Sequence, residues 1–338
     1  MMGTKHRLTR ALAGVGLAAL LAACGGAGGG ASSHRYTIAF VPKLIGIPYF
    51  TAMQKGGQEA AKDLGVDFIY QGPTTADSAK QIETIDALIS RHVDAIAVAP
   101  DDPSAVGPIL EKAKNAGIAV LTSDTDAPNT VREVWVNQAT DTAIGNAITD
   151  SLAKLMGQSG EWAIDSCGPT AQNLNSWIAV EKQRAATQYP GMKLVDVKYG
   201  GEDQAANTAI SKDLITANPS LKGLIGECTT SAPAVGEAIT QLGKIGQVFG
   251  VGLGTPTTMA PYIKNGSVPY VVLWNPVNLG YLTVWAAKQL LDKKPFQAQN
   301  QVGGPVGTVK YLPAQKMLLL GPPLVFDKSN IDQYVGKF

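Results

Sequence analysis

Short apolar runs alternate with helical patterns along most of the chain. The first run, 38–41, stops at Pro42, which cannot donate to a sheet ladder and therefore marks the end of a strand. Over 50–64, apolar residues recur at helical spacing. Further strands are predicted at 66–70, 95–98 and 119–122, with helical patterns between them. This order predicts βαβ units whose parallel strands are buried.

The same alternation starts again after a long helical pattern at about 140–156. Its strands are predicted at 162–165, 194–197, 224–227, 248–251 and 270–273. A helical pattern at 278–291, a Gly/Pro-rich tract at 295–307 and a tail with short apolar runs complete the chain. The sequence therefore predicts an α/β protein with two doubly wound, parallel-sheet lobes.

Polar residues follow the carboxyl ends of several predicted strands. Lys43 follows the first strand, and a Ser-Asp-Thr-Asp segment, 123–126, follows the fourth. In the second half of the chain, polar residues follow the strands in the same way at 165–175, 227–231 and 274–275. Small ligands bind at this edge of open α/β sheets, because the crossover helices leave a crevice there. These positions are therefore candidates for a binding site.

Residues 1–23 have the pattern of an export signal. Lys5, Arg7 and Arg10 precede an apolar run, 11–21, that is too short to span a bilayer permanently. The end of this segment, Leu21-Ala22-Ala23-Cys24, resembles the bacterial lipobox, which implies a lipid on Cys24; a plain secretory signal is the alternative. Residues 24–35 then supply the lipidated cysteine and a flexible tether. We expect an exported protein anchored to the outer face of the cell membrane.

Composition narrows the class of protein. A chain of 338 residues with 45% hydrophobic content is long enough for two packed domains. Loss of three cationic residues with the signal changes the formal charge from +1 to −2, which argues against nucleic-acid binding. Cys167 and Cys228 each follow a predicted strand. The two residues form either a disulfide, which an exported protein permits, or two buried free thiols, and the sequence does not decide between them. Neither cysteine has metal-ligand spacing.

The usual parts of a catalytic site are missing from the sequence. After the signal, histidine occurs only at His34 and His92, which leaves little material for a histidine-based triad. Neither H-E-x-x-H nor G-x-S-x-G occurs. Composition leaves catalysis by carboxylates alone open, as in glycosidases, but the doubly wound pattern with a lipid anchor argues against it. We predict that the protein is not an enzyme and uses no cofactor or metal ion.

Several stretches resemble the type I periplasmic sugar-binding proteins, the solute receptors of ABC importers. The similarity is greatest to the branch that holds the autoinducer-2 receptor and the rhamnose-binding proteins, and it covers 36–338. The stretches that carry it are FVPKL (40–44), VLTSDTD (120–126), NQ (137–138), TP (255–256) with PY (261–262), LW (273–274) and NID (330–332). The resemblance implies two lobes that close on a ligand by a hinge motion.

The resemblance also implies where the lobes begin and end. Three crossings of the chain are expected near 137–140, near 275–278 and within 295–307. Lobe 1 then consists of 36–138 plus 277–304, and lobe 2 of 139–276 plus 305–338. A repressor of the lactose-repressor type shares this core, but an export signal stands where its helix-turn-helix would have to be.

The family's ligand contacts map onto Lys43, Asp124, Asn173, Glu227, Thr229 and Asn275 of this chain. The autoinducer-2 receptor has an acid-amide pair where this chain has Asn173-Leu174, a proline at Glu227 and an acid at Asn275. These departures favour a small neutral sugar or sugar alcohol: a tetritol, pentitol, pentose or deoxyhexose. A receptor for an autoinducer-2-type signal, with the same fold, is the alternative function.

Each candidate has a physical role beside a structural alternative. Asp124 would accept from two adjacent hydroxyls and Lys43 would donate to a third, in charge-assisted bonds; otherwise the two form a structural ion pair. Asn173 and Glu227 would bind ligand or cap the helices that follow them. Four aromatic residues would stack on a sugar's apolar face or belong to the core: Tyr49, Phe50, Trp177 and Trp274.

The resemblance further implies the partners of the protein. These are a small polyhydroxy ligand, the permease subunits of an ABC importer and the membrane to which Cys24 is attached. We expect a monomer and no nucleic-acid partner.

Overall fold

The computed structural model describes residues 34–338. The strands are β1 (Thr37–Val41), β2 (Asp67–Tyr70), β3 (Ala95–Val98), β4 (Ala119–Ser123), β5 (Trp135–Asn137), β6 (Ser159–Ser166), β7 (Gly191–Tyr199), β8 (Leu221–Gly226), β9 (Phe249–Leu253), β10 (Tyr270–Leu273), β11 (Gln299–Gly303), β12 (Gly307–Leu312), β13 (Met317–Leu319) and β14 (Leu324–Phe326). The helices are α1 (Pro48–Leu64), α2 (Ser78–Ser90), α3 (Gly107–Asn115), α4 (Asp141–Met156), α5 (Gln172–Gln188), α6 (Gln204–Ala217), α7 (Ser231–Gln241), α8 (Pro256–Asn265) and α9 (Pro276–Leu291).

The predicted export signal, 1–23, lies outside the described residues, as do the proposed lipid site Cys24 and most of the tether. Within 34–338, no helix combines the length and the apolar character needed to cross a bilayer.

Lobe 1 is built on an eight-stranded sheet with the order β11-β12-β13-β5-β4-β3-β1-β2. Strands β1 to β5 run parallel to their neighbours, whereas β12 is antiparallel to both β11 and β13. Helices α1 and α9 cover one face of the parallel part, and α2 and α3 cover the other. Both faces of β1 are therefore buried, which explains its continuous apolar run.

Lobe 2 is built on a six-stranded sheet with the order β14-β10-β9-β8-β6-β7. Strands β6 to β10 are parallel, and β14 is antiparallel to β10 at the edge. Helix α4 packs against α5, and α6 packs against α7. The predicted fold class, an α/β protein with two doubly wound lobes, is confirmed.

The chain passes between the two sheets three times. The first passage joins β5 to α4, and the second joins β10 to α9. Two glycines allow α9 to pack closely against α1 of lobe 1. A Cβ at Gly56 would lie 1.8 Å from the Val277 carbonyl oxygen, and a Cβ at Gly280 would lie 2.0 Å from the Met53 carbonyl oxygen. Only a residue without a side chain permits this approach of two helix backbones.

The predicted boundaries of the lobes are wrong for the region after 304. Strands β12 and β13 belong to the sheet of lobe 1, where β13 pairs with β5, and only β14 joins the sheet of lobe 2. The third passage therefore lies at 320–323 and not within 295–307. It runs beside the first passage, because the Leu320 N–H donates to the Asn137 carbonyl over 2.8 Å. The Gly/Pro-rich tract instead contains β11 and the turn that joins it to the antiparallel β12.

Candidate ligand-binding site

A cavity lies where the carboxyl ends of strands from both lobes meet. Its free volume is about 40 Å³, room for a few water molecules, so that the side chains of the two lobes nearly fill it in this form. Nine of the ten residues predicted from the sequence line it: Lys43, Tyr49, Phe50, Asp124, Asn173, Trp177, Glu227, Thr229 and Trp274. Residues that are far apart in the chain thus meet in one place, as the strand-end argument predicts.

Three of these polar side chains form a bridge across the cleft. The Lys43 ammonium donates to Asn173 Oδ1 over 3.0 Å and lies 3.8 Å from Asp124 Oδ2. Asn173 Nδ2 donates to the same carboxylate over 3.5 Å. Lys43 and Asp124 belong to lobe 1 and Asn173 to lobe 2, so that the bridge joins the lobes. The ion pair considered from the sequence therefore exists, and it also faces the cavity.

Asp124 has a strained backbone, with φ at +68°. Non-glycine residues seldom adopt this left-handed conformation, although aspartate tolerates it better than most. The Asp124 N–H donates to the Val136 carbonyl over 3.1 Å, and its Oδ1 accepts from the Tyr49 hydroxyl over 2.8 Å. Burial, together with the Asp124 charge, raises the pKa of Tyr49 well above its usual value, so that Tyr49 remains a donor. Strain of this kind is often found at functional sites.

Four aromatic side chains form a wall of the cavity. Tyr49 packs edge-on against Phe50 and Trp274, with ring centroids 5.1 Å and 5.9 Å apart. Trp177 meets Trp274 edge-on at 5.7 Å. The Trp274 indole donates to the Tyr49 hydroxyl over 3.0 Å, and the Trp177 indole donates to Asp141 over 3.0 Å. Both indole N–H groups are satisfied, which leaves the ring surfaces for apolar contact.

Neither Asn173 nor Glu227 caps a helix. The N-cap of α5 is Ala171, and Asn173 lies one turn inside with its side chain on the Lys43–Asp124 pair. The N-cap of α7 is Thr230, three residues after Glu227. The structural alternatives for both side chains are therefore wrong.

A disulfide lies beside the cavity in lobe 2. It joins Cys167 to Cys228, whose Cα atoms are 6.1 Å apart, and thereby links the loop after β6 to the loop after β8. Cys228 lines the cavity between Glu227 and Thr229. Glu202 is close to both sulfurs, but a disulfide leaves no thiolate to bind a metal ion there. Of the two possibilities that the sequence left open, the structure shows the disulfide.

Sequence reasoning missed Glu202, which also lines the cavity. It follows β7, and it accepts a hydrogen bond of 3.0 Å from the Thr230 hydroxyl. Burial raises the pKa of its carboxyl, and the charge of Lys43 opposes that rise. A signal was present, because Glu202 is a polar residue after a predicted strand. The other missed lining residues besides Cys228 are apolar: Ile47, Leu174, Leu253 and Leu273.

The structure places Asn275 outside the cavity lining, in contrast to the prediction. Its Oδ1 accepts from the backbone N–H groups of Val277 and Asn278, at 2.9 Å and 3.2 Å. This is the N-cap of α9. Because the cap directs the side chain toward its own helix, Asn275 is a structural residue that stands next to the lining residue Trp274.

The sequence matches the family described as "Periplasmic binding protein domain" over residues 38–295. The chain belongs to this family. Its members are binding proteins, which agrees with the prediction that the chain is not an enzyme. The recognition of a type I periplasmic binding fold from short motifs is confirmed.

Several individual proteins are similar to this chain. An ABC transporter solute-binding protein from Clostridium phytofermentas, solved with bound L-rhamnose, is 32% identical; the match covers 90% of this chain and 99% of that one, with a TM-score of 0.85. A D-ribose/D-allose-binding protein of Pseudomonas aeruginosa is 27% identical, over 68% of this chain and 74% of its own length. The LsrB protein of Clostridium saccharobutylicum, solved with AI-2, is 23% identical with a TM-score of 0.82, a likeness that shows the fold alone.

Proposed function

We propose that this protein captures a small neutral sugar or sugar alcohol outside the cell and delivers it to an ABC permease. The expected ligands are a tetritol, pentitol, pentose or deoxyhexose. The observation that carries the proposal is the polar bridge between the lobes, which lies beside an aromatic wall in the cavity where the strand ends of both lobes meet. Relatives that bind L-rhamnose, D-ribose and D-allose support the same class of ligand.

The chemistry of the lining suits a polyhydroxy compound. Each hydroxyl both donates and accepts, so that it pairs with Lys43 on one side and with Asp124 on the other. Bonds of this kind to charged groups are about twice as strong as neutral ones. The apolar C–H face of a sugar ring fits the indole and phenyl surfaces of the wall.

Lobe closure provides the signal that the permease recognises in this proposal. The Lys43–Asn173 bond and the bond from the Thr170 hydroxyl to the Asp101 carbonyl, at 3.4 Å, both join the lobes. A ligand that adds contacts to both sides shifts the equilibrium toward the closed form by its differential affinity.

Export and anchoring are part of the proposal. The charged and apolar pattern of 1–23 and the residues around Cys24 support a lipoprotein that acts as a monomer at the outer face of the membrane. Mass spectrometry of the protein from its native membrane tests this, because lipidation adds acyl chains to Cys24 and removes 1–23.

A thermal-shift screen of residues 24–338 with Cys24→Ser tests the ligand class. A ligand that binds only the folded state raises the melting temperature, and at about 100 times its Kd it adds about 2.7 kcal/mol. The screen contains L-rhamnose, D-ribose, D-arabinose, erythritol, ribitol and autoinducer-2. We expect a shift with at least one sugar or polyol.

Two results would count against the proposal. If no sugar or polyol shifts the melting temperature, and an amino acid or a metal ion does, the proposed class of ligand is wrong. A shift for autoinducer-2 alone would replace it with a signal receptor.

A further inference from the structure

Two buried glutamates lie side by side in lobe 2, and one of them lines the cavity. Glu227 follows β8 and lines the cavity, whereas Glu181 is on α5 and does not. Both residues have no solvent exposure, and their carboxyl groups are within hydrogen-bonding reach of each other. Two ionised carboxylates would repel each other strongly in such a place, since little water screens them.

No residue of the described part of the chain donates to these carboxyl groups. All four oxygens of Glu181 and Glu227 are buried without a hydrogen-bond partner there. Buried acceptors are costly unless they are satisfied, and a proton between the two groups satisfies one oxygen of each. The other carboxyl oxygen of Glu227 is then left for a ligand, since Glu227 lines the cavity.

We propose that Glu181 is a positioning residue for the sugar site: it shares a proton with Glu227 and holds that carboxylate as an acceptor for a ligand hydroxyl. This inference rests on the proposed function for the identity of the ligand. Three acidic residues line the cavity, Asp124, Glu202 and Glu227, whereas Lys43 is the one cation among the lining residues that the structure describes. The shared proton reduces this excess of negative charge and explains how the cavity accommodates a neutral molecule. Without the shared proton, the lobe 2 wall would carry an excess of negative charge.

The surroundings of the pair determine how it titrates. Burial raises the pKa of Glu181 to about 8, and it raises that of Glu227 well above the usual value, with the Glu181 charge as a further cause. The exposed Lys182 on α5 acts in the opposite direction on Glu181. The other charged residues that line the cavity are Lys43 and Asp124 of lobe 1 and Glu202 of lobe 2. The two protons leave in steps that belong to the pair, and the last one leaves above neutral pH.

Isothermal titration with L-rhamnose, D-ribose and D-arabinose at several pH values tests the role of Glu181 in binding. In the native protein the Kd of the sugar that binds should rise about tenfold from pH 7 to about pH 9, as the pair loses its shared proton. In Glu181→Gln the amide still donates to Glu227 and no second charge forms, so that the ratio of the two Kd values should be close to one. Glu111→Gln removes an exposed carboxylate from α3 and should keep the native ratio.

Thermal unfolding without ligand tests the shared proton independently of the proposed function. Both folded pKa values are raised, so that the neutral forms add stability below the unfolded pKa, and this stability is lost as pH rises through the folded values. The melting temperature of the native protein should therefore fall between about pH 5 and pH 8, and in Glu181→Gln the fall should be smaller by about 3 °C or more. Asp165, a buried carboxyl with its pKa raised to about 7, contributes equally to both proteins and cancels in the difference.

The outcomes separate the two proposals. If the melting temperatures of the native protein and Glu181→Gln depend equally on pH, the shared proton is overturned, whether or not a sugar binds. A flatter melting profile with no sugar bound would support the pair and remove the proposed function. A flatter melting profile with an unchanged Kd ratio would restrict Glu181 to folding and overturn its role at the site. If Glu181→Gln does not fold, Glu227→Gln replaces it in the melting experiment with the same expectation.

Discussion

The two sides of the cavity differ in how completely their polar groups are satisfied. On the lobe 1 side, Lys43, Tyr49 and Asp124 are bonded to one another or across the cleft, and their charges balance. On the lobe 2 side, Glu227 has no donor among the described residues, and a disulfide runs beside it. A satisfied side is organised before ligand arrives, whereas an unsatisfied side gains most from ligand.

This difference separates two properties of the site. Under the proposed function, the lobe 1 side determines whether a hydroxyl compound is held at all, since its charged groups make the strongest bonds. Under the same proposal, the lobe 2 side selects among such compounds, because a ligand without a donor at the right place leaves the acceptor of Glu227 unpaired.

Asp124→Ala breaks the lobe 1 side and should have the largest effect. The change removes the carboxylate that accepts from ligand hydroxyls, a charge-assisted interaction worth about 3 kcal/mol, so that the Kd should rise about 100-fold. It also leaves the Lys43 ammonium buried without its counter-charge, which lowers the free energy of unfolding. Titration of the sugar found in the screen measures it. Asp124→Asn keeps the shape and tolerates the left-handed backbone, and we expect a smaller loss. A native Kd in Asp124→Ala would remove this residue from the site.

Removal of the disulfide tests the rigidity of the lobe 2 side. Replacement of Cys167 and Cys228 by serine opens a link between residues 61 positions apart in the sequence and should lower the free energy of unfolding by about 2–4 kcal/mol. Because Glu227 and Thr229 flank Cys228, the affinity for sugar should also fall, by about fivefold. Urea unfolding and titration measure the two effects. Destabilisation with an unchanged Kd would mean that the disulfide serves folding alone.

Trp274→Phe tests the aromatic wall that both lobes share. Phenylalanine keeps an aromatic ring, but the hydrogen bond from the indole to the Tyr49 hydroxyl, which joins the two lobes in the closed form, is lost. A neutral bond is worth about 1 kcal/mol, so that the Kd should rise about fivefold. Trp285→Phe, in a buried position on α9 that is not part of the cavity lining, is the matched control for the loss of an indole. If Trp285→Phe lowers the affinity for sugar as much as Trp274→Phe does, the effect of Trp274→Phe comes from packing and not from the lost hydrogen bond.

Asn275→Ala should have the smallest effect on binding and so sharpens the comparison. The loss of the N-cap of α9 should lower the free energy of unfolding by about 1 kcal/mol. Since the side chain lies outside the lining, the Kd should stay within about twofold of the native value. Asn275→Asp keeps a capping oxygen and should restore stability. A loss of affinity in Asn275→Ala beyond its loss of stability would return this residue to the site.

Much of the site was predictable from particular residues. Lys43 follows a run that Pro42 ends, and Asp124 follows the fourth strand, so that both fall on the ligand-binding edge of a parallel sheet. Glu202 obeys the same rule, but it stands three residues after the end of β7, whereas Asp124 follows β4 directly. Asn275 shows the limit of the rule: a strand end supplies candidates, and the geometry of the following helix decides which way each side chain turns.

The sequence by itself determined the alternation of strands and helices, the edge on which polar groups gather and the two-lobe fold, because these depend on local periods of apolar residues. Only the tertiary structure decided that β12 and β13 join lobe 1, that Cys167 pairs with Cys228 and that Glu181 lies against Glu227. Short strands pair according to which partner the rest of the fold brings near, and buried side chains meet through elements that are distant in the chain. Such contacts leave no periodic trace in the sequence.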